Sequence, residues 1–315
     1  MDIVKNIAII FMSIFFESLP FLLLGSLISG IIEAYVSNET ISKLIPKNKV
    51  LGSLVGVFLG FFLPACDCAV IPVTKRLLKK KVPVNVAVSF MLASPIINPV
   101  VLLSTYYAFY KSNPSIFYSR LVLGIVVSLL IGTIMGIIYN KKDVVINSVE
   151  KEEDEDEEEY ACCSFSSDEN DFKEKECHHH SDNKVLSIIK HTSIDFFEVV
   201  KYLMFGALVA SLFQSLLPRR ILLAFNSNNI LSIIVLMIFA YLLSLCSTSD
   251  SFVGKSLMSS FTKGSIIAYL LLGPMIDIKN TLVLLGNFKK KFVVTLITLI
   301  FIIVFLVSVL VVRIL

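Results

Sequence analysis

The chain has 315 residues, of which 56% are hydrophobic and 24 are Phe, and its mean hydropathy is +0.81. This composition would leave large apolar patches in water, which excludes an ordinary soluble globular domain. The net charge of +3 is unevenly distributed, because residues 141–184 hold 16 of the 25 acidic residues against 6 Lys, giving −10 there and +13 elsewhere. These features indicate an integral membrane protein with an acidic connecting segment.

Apolar runs long enough to cross a bilayer recur along the chain, since a spanning helix needs about 20 residues. They lie near residues 6–34, 50–73, 84–109, 117–139, 186–217, 229–253, 264–287 and 292–312. The first run lacks the features of a cleaved signal peptide, so we expect it to be retained. Pro64 with Pro72, and Pro95 with Pro99, predict interrupted helices or re-entrant hairpins. We expect an all-α membrane protein with about eight spanning helices, and ten if the interrupted segments fold back.

The two halves of the chain carry the same pattern of acids and helix breakers. Glu17 recurs as Glu198, Asp67 as Asp250, and the Pro95-Ile-Ile-Asn98 turn as Pro274-Met-Ile-Asp277. This predicts a first repeat over 1–140, an acidic Cys/His-rich disordered linker over 141–184, and a second repeat over 185–315. Whether the repeats are parallel or inverted depends on an even or odd number of spans in each half. Such duplication is typical of transporters whose site lies between pseudo-symmetric halves.

Cys66-Asp67-Cys68 is the sharpest motif of the first half. Two thiols one residue apart in a kinked segment can converge on a soft ion, because thiolates prefer Cu(I), Zn(II) and trivalent arsenic to hard cations. Asp67 would then accept a proton or support the thiols. The alternative is that both Cys are small buried apolar residues, which leaves the aspartate between them unexplained.

The equivalent segment of the second half keeps the acid and replaces the thiol pair by hydroxyls. It reads Cys246 followed by Ser-Thr-Ser-Asp250-Ser. If the two breaks meet, Cys66, Cys68 and Cys246 form a three-thiol site above Asp67 and Asp250, although Cys246 lies out of register with Cys66.

Other polar residues inside apolar runs are candidates for the pathway. Intramembrane carboxylates are rare and usually mark ion or proton paths. For Glu17 and Glu198, interfacial placement or a structural hydrogen bond between helices is the equal alternative. Asn98 and Asp277 each follow a proline by three residues, so we expect them to present polar groups to the same cavity.

The linker carries its own cluster of soft and borderline metal ligands. These residues are Cys162, Cys163, Cys177, His178, His179 and His180, beside the acidic run 152–159. They suit zinc or copper and predict a tail that captures or senses metal. The alternative is an accidental His-rich acidic tract.

The segment LGFFLPACDCAVIP at 59–72, followed by FMLASPIINP at 90–99, resembles the bacterial predicted-permease family of the ArsP/YraQ type, which includes efflux permeases for trivalent organoarsenicals. The Cys/His-rich linker is similar to that of a branch described as copper and zinc efflux transporters. The resemblance implies a permease of the inner or plasma membrane that passes a soft cation or a thiol-reactive arsenical outward. The residues that it matches are Cys66 and Cys68.

The sequence has neither a phosphate-binding loop nor a His-Glu-x-x-His motif, so we expect a transporter rather than an enzyme, without a tightly bound cofactor. The expected partners are the lipid bilayer and a metal or metalloid substrate, with no nucleic acid. A transmembrane thiol-disulfide carrier is the main alternative, because a Cys pair beside prolines can also relay electrons. A third hypothesis is a metal-sensing scaffold in which the linker is the working part.

Overall fold

The structure is a computed structural model, and it describes residues 2–35, 46, 48–62, 67–80, 82–111, 113–139, 144, 184–216 and 229–314. Cys66 and the six linker ligands lie outside the described residues. In the first half the helices are α1 (Asp2–Tyr35), α2 (Lys49–Phe62), α3 (Asp67–Lys79), α4 (Val84–Ile97), α5 (Pro99–Phe109) and α6 (Pro114–Ile138). In the second half they are α7 (Lys184–Leu216), α8 (Asn229–Leu243), α9 (Ser247–Leu257), α10 (Lys263–Met275), α11 (Ile278–Asn287) and α12 (Lys290–Ile314).

The predicted all-α membrane class is confirmed. By length and composition, helical stretches able to cross a membrane lie at Lys5–Ile31, Val84–Phe109, Pro114–Ile138, Lys263–Asn287 and Lys290–Arg313. Shorter apolar helices at Lys49–Phe62, Val199–Ser215 and Ile230–Leu243 account for the other predicted runs. Four of the eight runs are continuous helices (α1, α6, α7 and α12), and the others each contain two helices.

The interruptions have local causes that differ from one run to the next. Pro95 lies in the last turn of α4, and Asn98 then caps α5 by accepting a hydrogen bond from the Val100 amide at 3.0 Å. Asp277 caps α11 in the same way, with its carboxylate 2.6 Å from the Asn280 amide. Asn and Asp are preferred at such positions because their side chains satisfy free amides.

The run that contains Pro64 and Pro72 holds two helices, α2 and α3, as expected for an interrupted segment, and Pro64 lies outside the described residues. Pro72 lies inside α3, which continues unbroken from Asp67 to Lys79. The α8–α9 break contains no proline and instead uses Ser244, whose φ of 47° is the one positive value at a non-glycine residue in the described part of the chain. This left-handed residue ends α8, because it turns the backbone out of the helical path.

The core is formed by helices from both halves. α4 and α10 are almost entirely buried. α4 packs against α2 and α6, and α10 packs against α8 and α12. The long helices α1 and α7 pack together, with α1 against α3 and α7 against α11. Large apolar side chains such as Phe16, Phe58 and Ile302 remain on the outside, where a bilayer is the suitable solvent.

Two glycines allow the long helices to approach the broken ones closely. A Cβ on Gly25 of α1 would lie 2.6 to 2.8 Å from Ala69 of α3, and a Cβ on Gly206 of α7 would lie 2.9 Å from the Cα of Lys279 in α11. Gly25 and Gly206 occupy matching positions of the two repeats. Each therefore brings a continuous helix against the first residues of a broken one.

Candidate functional site: a buried charged cluster between the halves

The starts of three short helices from the two halves converge on one buried polar cluster. Asp67 begins α3, Cys246 immediately precedes α9, and Asp277 caps α11. Carboxylates are stabilised at helix starts because the free amides and the helix dipole favour negative charge there. The breaks in the apolar runs therefore create places where acidic side chains can lie inside the protein.

Lys279 is the cation of this cluster. Its Nζ lies 3.5 Å from Oδ2 of Asp67 and 3.4 Å from Oδ2 of Asp277, and all three side chains are at most 4% exposed. The same Nζ donates to the carbonyl oxygen of Ser244 at 3.5 Å. Lys279 thus connects the acid of the first half with the acid and the left-handed residue of the second half.

Asn280 and Ser247 complete the surroundings of Asp67. Nδ2 of Asn280 donates to Oδ2 of Asp67 at 3.0 Å, and Oγ of Ser247 donates to Oδ1 of Asp67 at 3.4 Å. The Cys68 thiol donates to Oδ1 of Asn280 at 3.5 Å. The carboxylate is held by three groups from the second half, counting Lys279, as a buried charge requires.

A small cavity opens beside this cluster. It is lined by Ile14, Glu17, Ser18, Phe21, Asp67, Cys68, Ser244, Cys246 and Lys279. The centre of a water-sized sphere can move within a volume of about 10 Å³ in this cavity. The cavity therefore has room for about one water molecule. Two thiols, two carboxylates and one ammonium group therefore share a space of the size of a single small ion or water.

A second polar cluster lies next to the first. Arg120 is fully buried, and its Nη1 donates to Oγ1 of Thr105 at 2.6 Å and to Oγ of Ser251 at 2.8 Å. Asp250 accepts a hydrogen bond from the Tyr269 hydroxyl at 3.0 Å and interacts electrostatically with Arg120. Nη2 of Arg120 reaches the carbonyl oxygen of Ser247 at 3.4 Å, so Ser247 touches both clusters.

Comparison with known proteins gives consistent results over almost the whole chain. Residues 3–312 match the ArsP_1 family model, described as a predicted permease. The UPF0718 protein YcgR of Bacillus subtilis is 43% identical over 295 residues, which covers 94% of this chain and 93% of the relative. The chain belongs to the ArsP_1 predicted-permease family.

More distant relatives extend this result. A protein of Streptococcus mutans, named as a two-component membrane permease complex subunit, is 37% identical over 292 residues, covering 90% of this chain and 87% of the relative. A UPF0718 protein of Methanocaldococcus jannaschii is 28% identical over 124 residues, or 39% of this chain and 33% of the relative. No solved structure matches the chain.

Several residues predicted from sequence meet in this permease. Glu17, Asp67, Cys68 and Cys246 line the cavity, and Asp277 joins them through Lys279. The structure therefore brings together side chains that are far apart in the sequence, including the out-of-register Cys246.

Other predicted residues lie away from the cavity, or their side chains are outside the described part of the structure. Asp250 belongs to the Arg120 cluster and Asn98 caps α5, so neither lines the cavity. Glu198 lies in α7, but its side chain is outside the described part. Within the described residues, no group of three or more His, Cys, Asp or Glu is arranged to hold a metal ion.

Lys279 and Arg120, the cations of the two clusters, are not among the site residues predicted from the sequence. Both lie inside predicted spans, where a basic side chain is as costly as an acidic one, so the rule that selected Asp67 would also have selected them. Two further basic residues, Lys75 and Arg76, are buried in α3, and Lys75 donates to Oδ1 of Asn287 at 3.1 Å.

Proposed function

We propose that this permease exports a soft metal cation, copper or zinc, or a thiol-reactive arsenical across the plasma membrane, and that the cargo passes the cavity beside Cys68 and Cys246. The observation that supports this is that one cavity is lined by a thiol from each half and by two carboxylates of the first half. Thiolates select soft ions, and carboxylates balance positive charge. Rocking of the halves about this cavity would alternate its access.

The size of the cavity favours a metal ion over an organoarsenical in the described state. A space for about one water molecule accepts a bare ion, whereas a methylated arsenical needs a wider pocket. Export of an arsenical therefore requires a further opening of the cavity. Cys66 and the acids Glu198, Asp250 and Asp277 would extend the pathway on either side.

The linker and a partner protein complete the proposal. Cys162, Cys163, Cys177 and the His178–His180 run would capture or sense the metal before transport. The streptococcal relative is named as a subunit of a two-component complex, and we propose that this chain also acts with a second component. That component or an ion gradient would drive export, since the sequence contains no phosphate-binding loop.

Accumulation of copper, zinc and methylarsenite in cells tests the proposal. Cells that carry the intact chain should hold less of one solute than cells that carry Cys68→Ser or Cys246→Ser. Ser256→Ala is the control, because Ser256 is exposed on α9 and its hydroxyl donates to the Val253 carbonyl of the same helix. Equal levels of all three solutes in every strain would contradict the export of soft cargo.

A thiol-disulfide carrier is the second candidate, favoured by the presence of two thiols on one cavity. In the described part of the chain Cys68 and Cys246 are both thiols and not members of a disulfide. Their oxidation to a disulfide would release two electrons and two protons to a partner disulfide, which is reduced to a dithiol. Trapping distinguishes the candidates, since a Cys68→Ser variant of a carrier accumulates a mixed disulfide between Cys246 and its partner, and an exporter does not.

A further inference from the structure

The ammonium group of Lys279 occupies a position suited to a cation. Three oxygen atoms, from Asp67, Asp277 and the Ser244 carbonyl, lie within 3.5 Å of it. Carboxylate and carbonyl oxygens are also the ligands that hard divalent cations use. The site thus contains an oxygen-lined position already filled by the protein's own cation, directly beside the thiols of the cavity.

The position of Lys279 is fixed by its backbone as well as its side chain. Its amide donates to Oγ of Ser244 at 3.4 Å, and Gly206 of α7 is so close that a Cβ there would lie 2.9 Å from the Lys279 Cα. The side chains of Lys279 and Asp67 are each 4% exposed, so bulk cations do not reach the pair freely. The ammonium group is therefore held at high effective concentration at the two carboxylates.

We propose that Lys279 is a built-in competitor that keeps hard cations out of the cavity while allowing soft cations to bind. A hard cation gains only oxygen ligands, and it must displace the ammonium group to obtain them. A soft cation also gains thiolate ligands at Cys68 and Cys246, which a hard cation does not favour. This inference rests on the proposed function for the identity of the cargo, while the exclusion of hard cations is a property of Lys279 alone.

The test uses the full chain, purified in detergent micelles, and manganese as the hard cation. Free Mn²⁺ is measured by its electron paramagnetic resonance signal during titration, and Ag⁺ binding, as a redox-stable soft cation, is measured by equilibrium dialysis. The variants for manganese are Lys279→Gln, Lys279→Arg, and Lys279→Gln combined with Asp67→Asn, and the variant for silver is Cys68→Ser. The linker is identical in all of them, so a difference between variants reports on the membrane core.

Lys279→Gln should bind Mn²⁺ on the order of tenfold more tightly than the intact chain, because two buried carboxylates have lost their cation. Lys279→Arg should not gain Mn²⁺ binding, since it keeps the charge. Asp67→Asn added to Lys279→Gln should remove the gain. If Lys279→Gln is not monodisperse, Lys279→Gln combined with Asp277→Asn replaces it. This double variant has the same net charge as the intact site, and it still removes the ammonium group from Asp67.

Unchanged Mn²⁺ binding in a monodisperse Lys279→Gln or Lys279→Gln/Asp277→Asn protein would overturn the inference. The silver experiment reports separately on the proposed function. If Cys68→Ser leaves Ag⁺ binding unchanged while Lys279→Gln gains Mn²⁺, the soft-cargo function fails and the role of Lys279 against hard cations stands.

Discussion

Asn280 hydrogen-bonds to Asp67 across the two halves of the permease, from Nδ2 to Oδ2 over 3.0 Å, between residues 213 positions apart. The same amide accepts from the Cys68 thiol through Oδ1. Asn280 therefore fixes the carboxylate and the thiol of the first half with one side chain of the second. The alignment of the cavity residues depends on this contact.

Asn280→Ala should destabilise the protein by about 1–3 kcal/mol, because it removes a donor from a buried carboxylate and an acceptor from a buried thiol. Thermal unfolding in detergent measures the change. Ser256→Ala is the control, since Ser256 is exposed on α9 and its hydroxyl donates to the Val253 carbonyl of the same helix. Equal stability of the two variants would show that the contact between halves contributes little.

Arg120→Met should cost about 3–5 kcal/mol, because Asp250 loses its principal cation while remaining buried. Adding Asp250→Asn should recover part of this loss, since the uncompensated charge disappears. The double-mutant cycle is measured by thermal unfolding, with Lys255→Met on the exposed face of α9 as the control. Additive effects of the two changes would mean that Arg120 and Asp250 are independent.

Gly25→Ala and Gly206→Ala should each destabilise the protein by roughly 1–3 kcal/mol through overpacking. The added Cβ meets the backbone of Ala69 or of Lys279, and neither can move without shifting a helix that carries site residues. The proposed export should therefore fall as well as stability. In Gly254→Ala, the control, the nearest atom is the side-chain Cδ2 of Leu270 at 3.2 Å, which can rotate away. Effects no larger than that of Gly254→Ala would refute the close-approach argument.

The two described thiols of the cavity should differ in reactivity. Cys68 is 1% exposed and hydrogen-bonded to Asn280, whereas Cys246 is half-buried and faces Thr248. A thiol reacts with a maleimide only when the reagent can reach its sulfur. In proteins that keep a single cysteine, Cys246 should therefore react with a maleimide faster than Cys68. Mass spectrometry over a time course gives both rates. Faster labelling of Cys68 would contradict the buried position of this thiol.

The apolar runs, their lengths and the acids inside them were readable from sequence because they depend on composition within one segment. The all-α class followed from this, and so did the candidates Glu17, Asp67, Cys68 and Asp277, since polar groups are rare in apolar segments. The position of the breaks was only partly readable. Asn98 and Asp277 have recognisable capping chemistry, but the break at Ser244 depends on a left-handed backbone that no proline signals.

The amino-acid sequence by itself determined that the chain spans a membrane, that its halves carry matching motifs, and which intramembrane acids and thiols were candidates. The tertiary structure decided which of them meet. Lys279 joins Asp67 and Asp277, and Cys246 faces the cavity despite its register, whereas Asp250 pairs with Tyr269 beside Arg120. The physical reason is that contacts between helices depend on how closely their backbones approach, as at Gly25 and Gly206, and on the turn between half-helices. Neither can be read from the polarity of one segment.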